Sequence, residues 1–146
     1  MDREYTDRLL QTVSTAAPPD ASAPQTILHR VYIAIVQGDF EAFREAVTGD
    51  VELNIFGFGP LDGTWRGRDE VVEATRNNFG LVSGQQPEID SMISEGDCVA
   101  VLLRERGVFK STGQAYSIRA VQWFTFAEGK ISKIDEIVAG IGKVEN

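Results

Sequence analysis

The chain has 146 residues, 42% of them apolar and 25% charged, with a formal charge of −8. Those values predict one soluble domain around a single core. The negative balance argues against a sequence-independent nucleic-acid binder, which needs cations to face phosphates, so no nucleic-acid partner is expected. No apolar run approaches the roughly 18 residues of a membrane span, and no membrane partner is expected either.

The opening stretch MDREYTDRLLQTVSTAAPPDASAP has neither the basic start nor the long apolar run of a secretory signal, so a cytoplasmic location is the expectation. Its small-residue and proline stretch, Ala16-Ala17-Pro18-Pro19, predicts a flexible segment over residues 1–24, with a short amphipathic turn at Leu9, Leu10 and Val13. The folded domain is then 25–146. A single cysteine, Cys98, rules out an internal disulfide, and Cys98 with His29 are the only soft metal ligands. No metal site and no cofactor are expected. Chemistry, if any, falls to carboxylates, tyrosines or bound water.

Ser22 with Gln25 three residues on, and Pro24 between them, has the pattern of a capping box. Ile27, Leu28, Val31, Tyr32, Ile35 and Val36 then fall at helical spacing. Gly38 ends that helix, and Asp39 opens a second one carrying Phe40, Phe43 and Val47. Val51, Leu53 and Ile55 alternate with polar residues, which predicts a strand. The run Gly57-Phe58-Gly59-Pro60-Leu61-Asp62-Gly63 is a loop, with Phe56, Phe58 and Leu61 as a rim around it. A third helix over about 69–79 puts Val71, Val72, Thr75 and Phe79 on one side. Strands follow near 88–95, 98–109, 114–126 and 130–138, separated by Gly96-Asp97, Thr112-Gly113 and Glu128-Gly129, each a hairpin signal. Helices first and a long antiparallel meander second predict an α+β fold, with helices on one face of a curved sheet.

Three short motifs carry a resemblance. Gly63-Thr64-Trp65-Arg66-Gly67-Arg68-Asp69-Glu70-Val71 resembles the glycine–aromatic–glycine–basic–acidic segment of the nuclear transport factor 2-like superfamily, in its SnoaL-like and ketosteroid isomerase-like branches. Gly38-Asp39-Phe40 is similar to the corner between the first two helices of that superfamily, and Glu128-Gly129-Lys130-Ile131 to its last hairpin. The similarity runs in order over about residues 25–140. It implies a cone-shaped barrel of curved antiparallel sheet wrapped around three N-terminal helices, of the cystatin-like type, with an apolar pocket at its mouth. It also implies a homodimer packed through sheets.

Within the superfamily, Thr112-Gly113-Gln114-Ala115-Tyr116 and the residues up to position 136 look similar to the limonene-1,2-epoxide hydrolase family. That family's acid–arginine–acid unit carries over to Glu105, Leu103 and Glu136. Its water-holding tyrosine and asparagine fall on Leu53 and Ile55. Both acids are therefore present, and their bridging arginine and water holders are not. In ketosteroid isomerases one acid is the general base, while a tyrosine and a protonated acid stabilise the oxyanion. The base position falls on or beside Ile55, and Tyr32 lies within a residue of the helical tyrosine. The histidine–aspartate pair of the SnoaL polyketide cyclases is absent, because the single histidine lies in the first helix.

Strand alternation places Val99, Val101, Leu103, Glu105 and Gly107 on one face, with Arg104 and Arg106 on the other. By the same parity Tyr116, Ile118, Ala120 and Gln122 point inward, as do Ser132, Ile134, Glu136 and Val138. Ile131, Lys133, Asp135 and Ile137 point out. The expected pocket is lined by Tyr32, Ile35, Leu53, Ile55, Trp65, Leu103, Tyr116, Ile118, Ala120 and Ile134, with Glu105 and Glu136 as candidate catalytic acids. Two carboxyls in one apolar cavity repel each other and resist desolvation, which raises at least one pKa and gives an acid and a base near neutral pH. A purely structural role stands beside that reading, with Glu105 paired to an arginine on a neighbouring strand and Glu136 to Arg119 or to a pole of the dimer interface. Three functions remain open: a pocket for a small hydrophobic molecule, a lyase, isomerase or epoxide-hydrolase-like enzyme on the two acids, and a non-enzymatic dimerisation or partner-binding module.

Overall fold

Pro24 fixes where the first helix starts. Proline disfavours helical geometry in the residue before it, so Ala23 stays extended and becomes the N-cap of α1 (Pro24–Val36), without a side-chain cap bond. The expected capping box is therefore not formed on Gln25, and its other member, Ser22, lies outside the residues that this computed structural model describes, 23–142. The flexible segment expected for residues 1–24 also falls almost wholly outside them. Asp39 does cap α2 (Phe40–Ala46), its carboxylate accepting from Ala42 N at 3.1 Å.

The chain then runs through β1 (Val47–Phe56), a single 3-10 turn at Gly59–Leu61, β2 (Gly63–Arg66) and α3 (Arg68–Gly80). Four long strands follow: β3 (Val82–Glu95), β4 (Cys98–Phe109), β5 (Ala115–Ala127) and β6 (Lys130–Gly142). They build one six-stranded sheet in the order β2-β1-β6-β5-β4-β3. Neighbours are antiparallel except β1 and β6, which run parallel, so the sheet is mixed where uniform antiparallel pairing was expected. The parallel pair arises because the helical excursion returns the meander to the free side of β1. Strands β2 and β3 remain as edges, leaving the curved sheet an unclosed cone around the three helices.

Other departures have local causes. Strand β2, hidden by flanking glycines, forms because Thr64, Trp65 and Arg66 pair with Asn54, Leu53 and Glu52. The sequence Val-Ser-Gly-Gln-Gln-Pro has little intrinsic strand preference. It nonetheless starts β3 at Val82, because Phe109 and Val108 of β4 supply pairing partners. Ile131, expected on the outside, is fully buried. The register of β5 against β6 shifts between Thr125 and Phe126, so Ile131 faces Phe126 and Val47 inside the core.

The core fills the concave side of the sheet. Leu28 and Val31 of α1, Phe43 of α2, and Val71 and Val72 of α3 pack on Val51, Val99, Val101, Tyr116 and Ile131, all nearly or wholly inaccessible to solvent. No helix among the described residues is long and apolar enough to cross a membrane.

Candidate functional site

The site grows out of the pleat of three adjacent strands. On β4, Val99, Val101, Leu103 and Gly107 are buried while Leu102, Arg104 and Arg106 are exposed, so Glu105 points into the cone as its parity requires. On β5 the inward series is Tyr116, Ile118, Ala120, Gln122 and Phe124. On β6, Glu136 stands between Gln122 of β5 and Ile55 of β1, its cross-strand partners. Its neighbour Asp135 turns the other way, to Asn54 at 2.9 Å and Lys133 at 3.6 Å.

Each inward acid is held by a neutral donor. The Tyr116 hydroxyl donates to Glu105 Oε2 at 2.8 Å. Gln122 Nε2 donates to Glu136 Oε2 at 3.1 Å, while Gln122 Oε1 accepts the hydroxyl of Tyr32, reaching down from α1. Both carboxyls thus keep Oε1 outside these bonds. Neither forms an ion pair among the described residues, which removes the arginine-paired alternative. Arg104 binds Asp90 at 2.8 Å and Glu88 at 3.0 Å on the outer face, Arg106 reaches Gln86, and Arg119 lies opposite Arg104.

The electrostatics follow from that isolation. Loss of water pushes Glu105 up from 4.5 to about 7; the Tyr116 hydrogen bond opposes the shift and the nearby Glu136 adds to it. Burial raises Glu136 too, against the pull of Gln122. Tyr32 is raised well above its ordinary value by burial and by Glu136, so its hydroxyl stays a donor.

These groups face a cavity of about 190 Å³. Of the expected liners, Tyr32, Ile35, Leu53, Ile55, Leu103, Ile118 and Ile134 are on its wall with Glu105 and Glu136. Trp65, Tyr116 and Ala120 are not. Trp65 is half-buried on the edge strand and packs against the core beside Leu53, which takes the wall position. Tyr116 is sealed between Phe58 and Phe109 and reaches the site only through its hydroxyl. Ala120 is buried between its cross-strand partners Leu103 and Val138.

Sequence reasoning missed part of the wall. Phe58 and Leu61, expected at a rim, are buried in it, whereas Phe56 faces solvent. The Asp62 carboxylate pins that loop by accepting from Gly57 N at 3.1 Å and Phe58 N at 2.6 Å. Gly57 has φ +83°, and a Cβ there would lie 2.1 Å from the Val138 carbonyl oxygen, so only glycine lets the loop pass so close to β6. Thr75 and Asn78 of α3 and Gln85 and Pro87 of β3 also reach the cavity. Among the described residues no cluster of histidine, cysteine, aspartate or glutamate could hold a metal ion.

Solved structures of the same shape are numerous. An NTF2-like protein of Burkholderia thailandensis is 24% identical, with a TM-score of 0.68 over 77% of this chain and 88% of that one. Another from Burkholderia xenovorans is 19% identical, with a TM-score of 0.67 over 95% and 92%. A Catenulispora acidiphila protein with a ketosteroid isomerase-like fold, in complex with trimethylamine, is 13% identical with a TM-score of 0.63 over 75% and 82%. No curated protein matches the chain. The sequence profile of the SnoaL-like domain matches residues 28–134, from within α1 through the sheet as far as Ile134. The chain belongs to the SnoaL-like family, with the α+β cone of the nuclear transport factor 2-like superfamily.

Proposed function

We propose that the protein binds a small, largely apolar molecule carrying one polar group. The observation that carries this reading is the cavity of about 190 Å³ whose mostly apolar wall carries two inward carboxyls. A dry apolar cavity of about 150 Å³ holds benzene, so the occupant has on the order of ten non-hydrogen atoms. Native mass spectrometry of the purified protein should find such a molecule retained. Leu103→Phe, which extends a wall residue into the cavity, should lose it. A protein that never carries an adduct, or an adduct indifferent to Leu103→Phe, contradicts the reading.

A second reading follows from Glu105, which holds a proton near neutral pH beside a second buried acid. Such a pair can give a proton at one atom of a ligand and take one at another, the work of an isomerase or lyase. Epoxide opening of the hydrolase type is less favoured, because Leu103 stands where the resemblance calls for the arginine and no cation among the described residues lines the cavity. On this reading Glu105→Gln abolishes turnover while ligand retention survives. Unchanged turnover of an identified substrate would sink it.

The outer face of the sheet supports a homodimer over a monomeric module. Exposed Phe56, Ile137, Val121 and Leu102 form one cross-strand row, with Trp123 beside it. Contiguous apolar area of that kind marks an interface more often than chance surface. Sedimentation velocity should give a dimer that Trp123→Asp converts to folded monomer. A monomer at every concentration contradicts this pairing.

A further inference from the structure

The side chains around the cavity define the charge of what enters it. Glu105 and Glu136 face the space with an oxygen each outside the hydrogen bonds from Tyr116 and Gln122. Among the described residues no lysine, arginine or histidine lines the wall. The arginines flanking Glu105 on β4, Arg104 and Arg106, are turned to its outer face, where Asp90, Glu88 and Gln86 engage them, and Arg119 of β5 is exposed there opposite Arg104. We propose that the cavity takes an apolar amine as its ammonium ion, with the carboxylates of Glu105 and Glu136 as counter-charges. The inference rests on the reading of the cavity as a ligand site and adds the chemical class of the ligand.

Three classes of ligand compete for such a wall. An anion would meet two carboxyls and no cation, and is repelled. A neutral molecule leaves both carboxyls desolvated, so it is tolerated best when they are protonated. An ammonium ion supplies N–H donors to the two open oxygens and removes the cause of their desolvation penalty. Its alkyl or ring carbons meet Leu53, Ile55 and Ile134, with the aromatic residues Tyr32, Phe58 and Phe124 on the same wall. The chain's net charge of −8 draws cations from solution.

The binding is pH-dependent, and the groups that set its direction are few. Glu105 comes from β4, Glu136 from β6, Tyr116 from β5 and Tyr32 from α1. The wall residues of β1, β3 and α3 bring no charged or titratable side chain. Both tyrosines act as donors, so the two acids set the profile. Amine affinity is greatest where Glu105 is ionised and falls as pH drops below about 7, where it takes up a proton.

Titration calorimetry of the full chain with cyclohexylamine and with cyclohexanol, from pH 5 to pH 8, tests this directly. The two probes match in size, and the amine stays cationic throughout. At pH 8 cyclohexylamine should bind at least tenfold tighter than cyclohexanol. Its affinity should fall on the order of a hundredfold by pH 5, in proportion to the ionised fraction of Glu105. Leu103→Phe should weaken both probes, and the double variant Glu105→Gln, Glu136→Gln should erase the preference for the amine. Equal or tighter binding of cyclohexanol at pH 8 overturns the inference and leaves the cavity reading standing. Amine binding that survives Leu103→Phe places the cation elsewhere on an acidic surface and also overturns it. If neither probe binds, the inference and the ligand reading fail together.

Discussion

Replacing Glu105 by glutamine is expected to stabilise the protein at pH 8 and to flatten its stability between pH 5 and pH 8. The sign follows from the raised pKa. Glu105 holds its proton up to about 7 in the fold, against 4.5 ordinarily. Between those values the folded state binds more protons than the unfolded one, so stability falls as pH rises. It is fully present below about 4.5 and lost as pH climbs through 7. At about 1.4 kcal/mol per unit, the loss is about 3.5 kcal/mol at most. Glu136 is raised too and pulls the same way. The lowered acids, Asp69 and Asp90, act in the opposite sense, but at pH values below this window. Glutamine keeps a carbonyl oxygen for the Tyr116 hydroxyl and removes the charge. Urea melts at pH 5 and pH 8 decide it: a wild type as stable at both values, or a variant with an undiminished pH slope, sinks the claim that Glu105 is desolvated.

The second large effect concerns Gly107, two residues along the same face of β4. A Cβ built there lies 2.6 Å from the Tyr116 hydroxyl oxygen and 2.8 Å from Cε1 and Cζ of the ring. The ring can give way only at a cost, because Phe58 and Phe109 pack edge-on and tilted against it and it is wholly buried. Gly107→Ala therefore overpacks the core, at about 1–3 kcal/mol. It also pushes the hydroxyl off Glu105, leaving a buried acid without its donor, for a further cost of about 1–3 kcal/mol. A total destabilisation of about 3 kcal/mol is expected by chemical denaturation. Glu105 should hold its proton to higher pH in the variant, since the Tyr116 bond is what lowers its pKa. Tyr116→Phe introduced together with Gly107→Ala should relieve part of the clash. A Gly107→Ala protein of wild-type stability would mean that Tyr116 is not fixed where the fold places it.

Much of this site was legible from strand parity. Leu103 beside Glu105, and Ile134 beside Glu136, are enough to turn both acids inward, because a pleat has only two faces. Gln122 came from the same alternation. Parity says nothing about partners, so the Tyr32–Gln122–Glu136 chain, which joins a helix to two strands, was invisible, as was the role of Tyr116 as a donor behind the wall. Ile131 was misplaced because a bulge shifts parity without changing composition. The Phe58 loop was misread as a rim, since its burial depends on Asp62 folding back over glycines. Pro87 and Gln85 were missed because edge pairing with β4, rather than their own preference, makes them a strand. Trp65 drew notice for its size, but it lies on a strand whose neighbour already fills the wall.

The central claim is that a carboxyl in the cavity carries a proton close to neutral pH. Carbon-13 NMR titration of the glutamate side-chain carboxyls reads it directly, with Glu105→Gln assigning the resonance. One glutamate signal should titrate near 7, vanish in that variant, and shift to lower pH when cyclohexylamine is added. If every glutamate instead completes its titration around the ordinary 4.5, both acids are open to water and the account of the site is wrong.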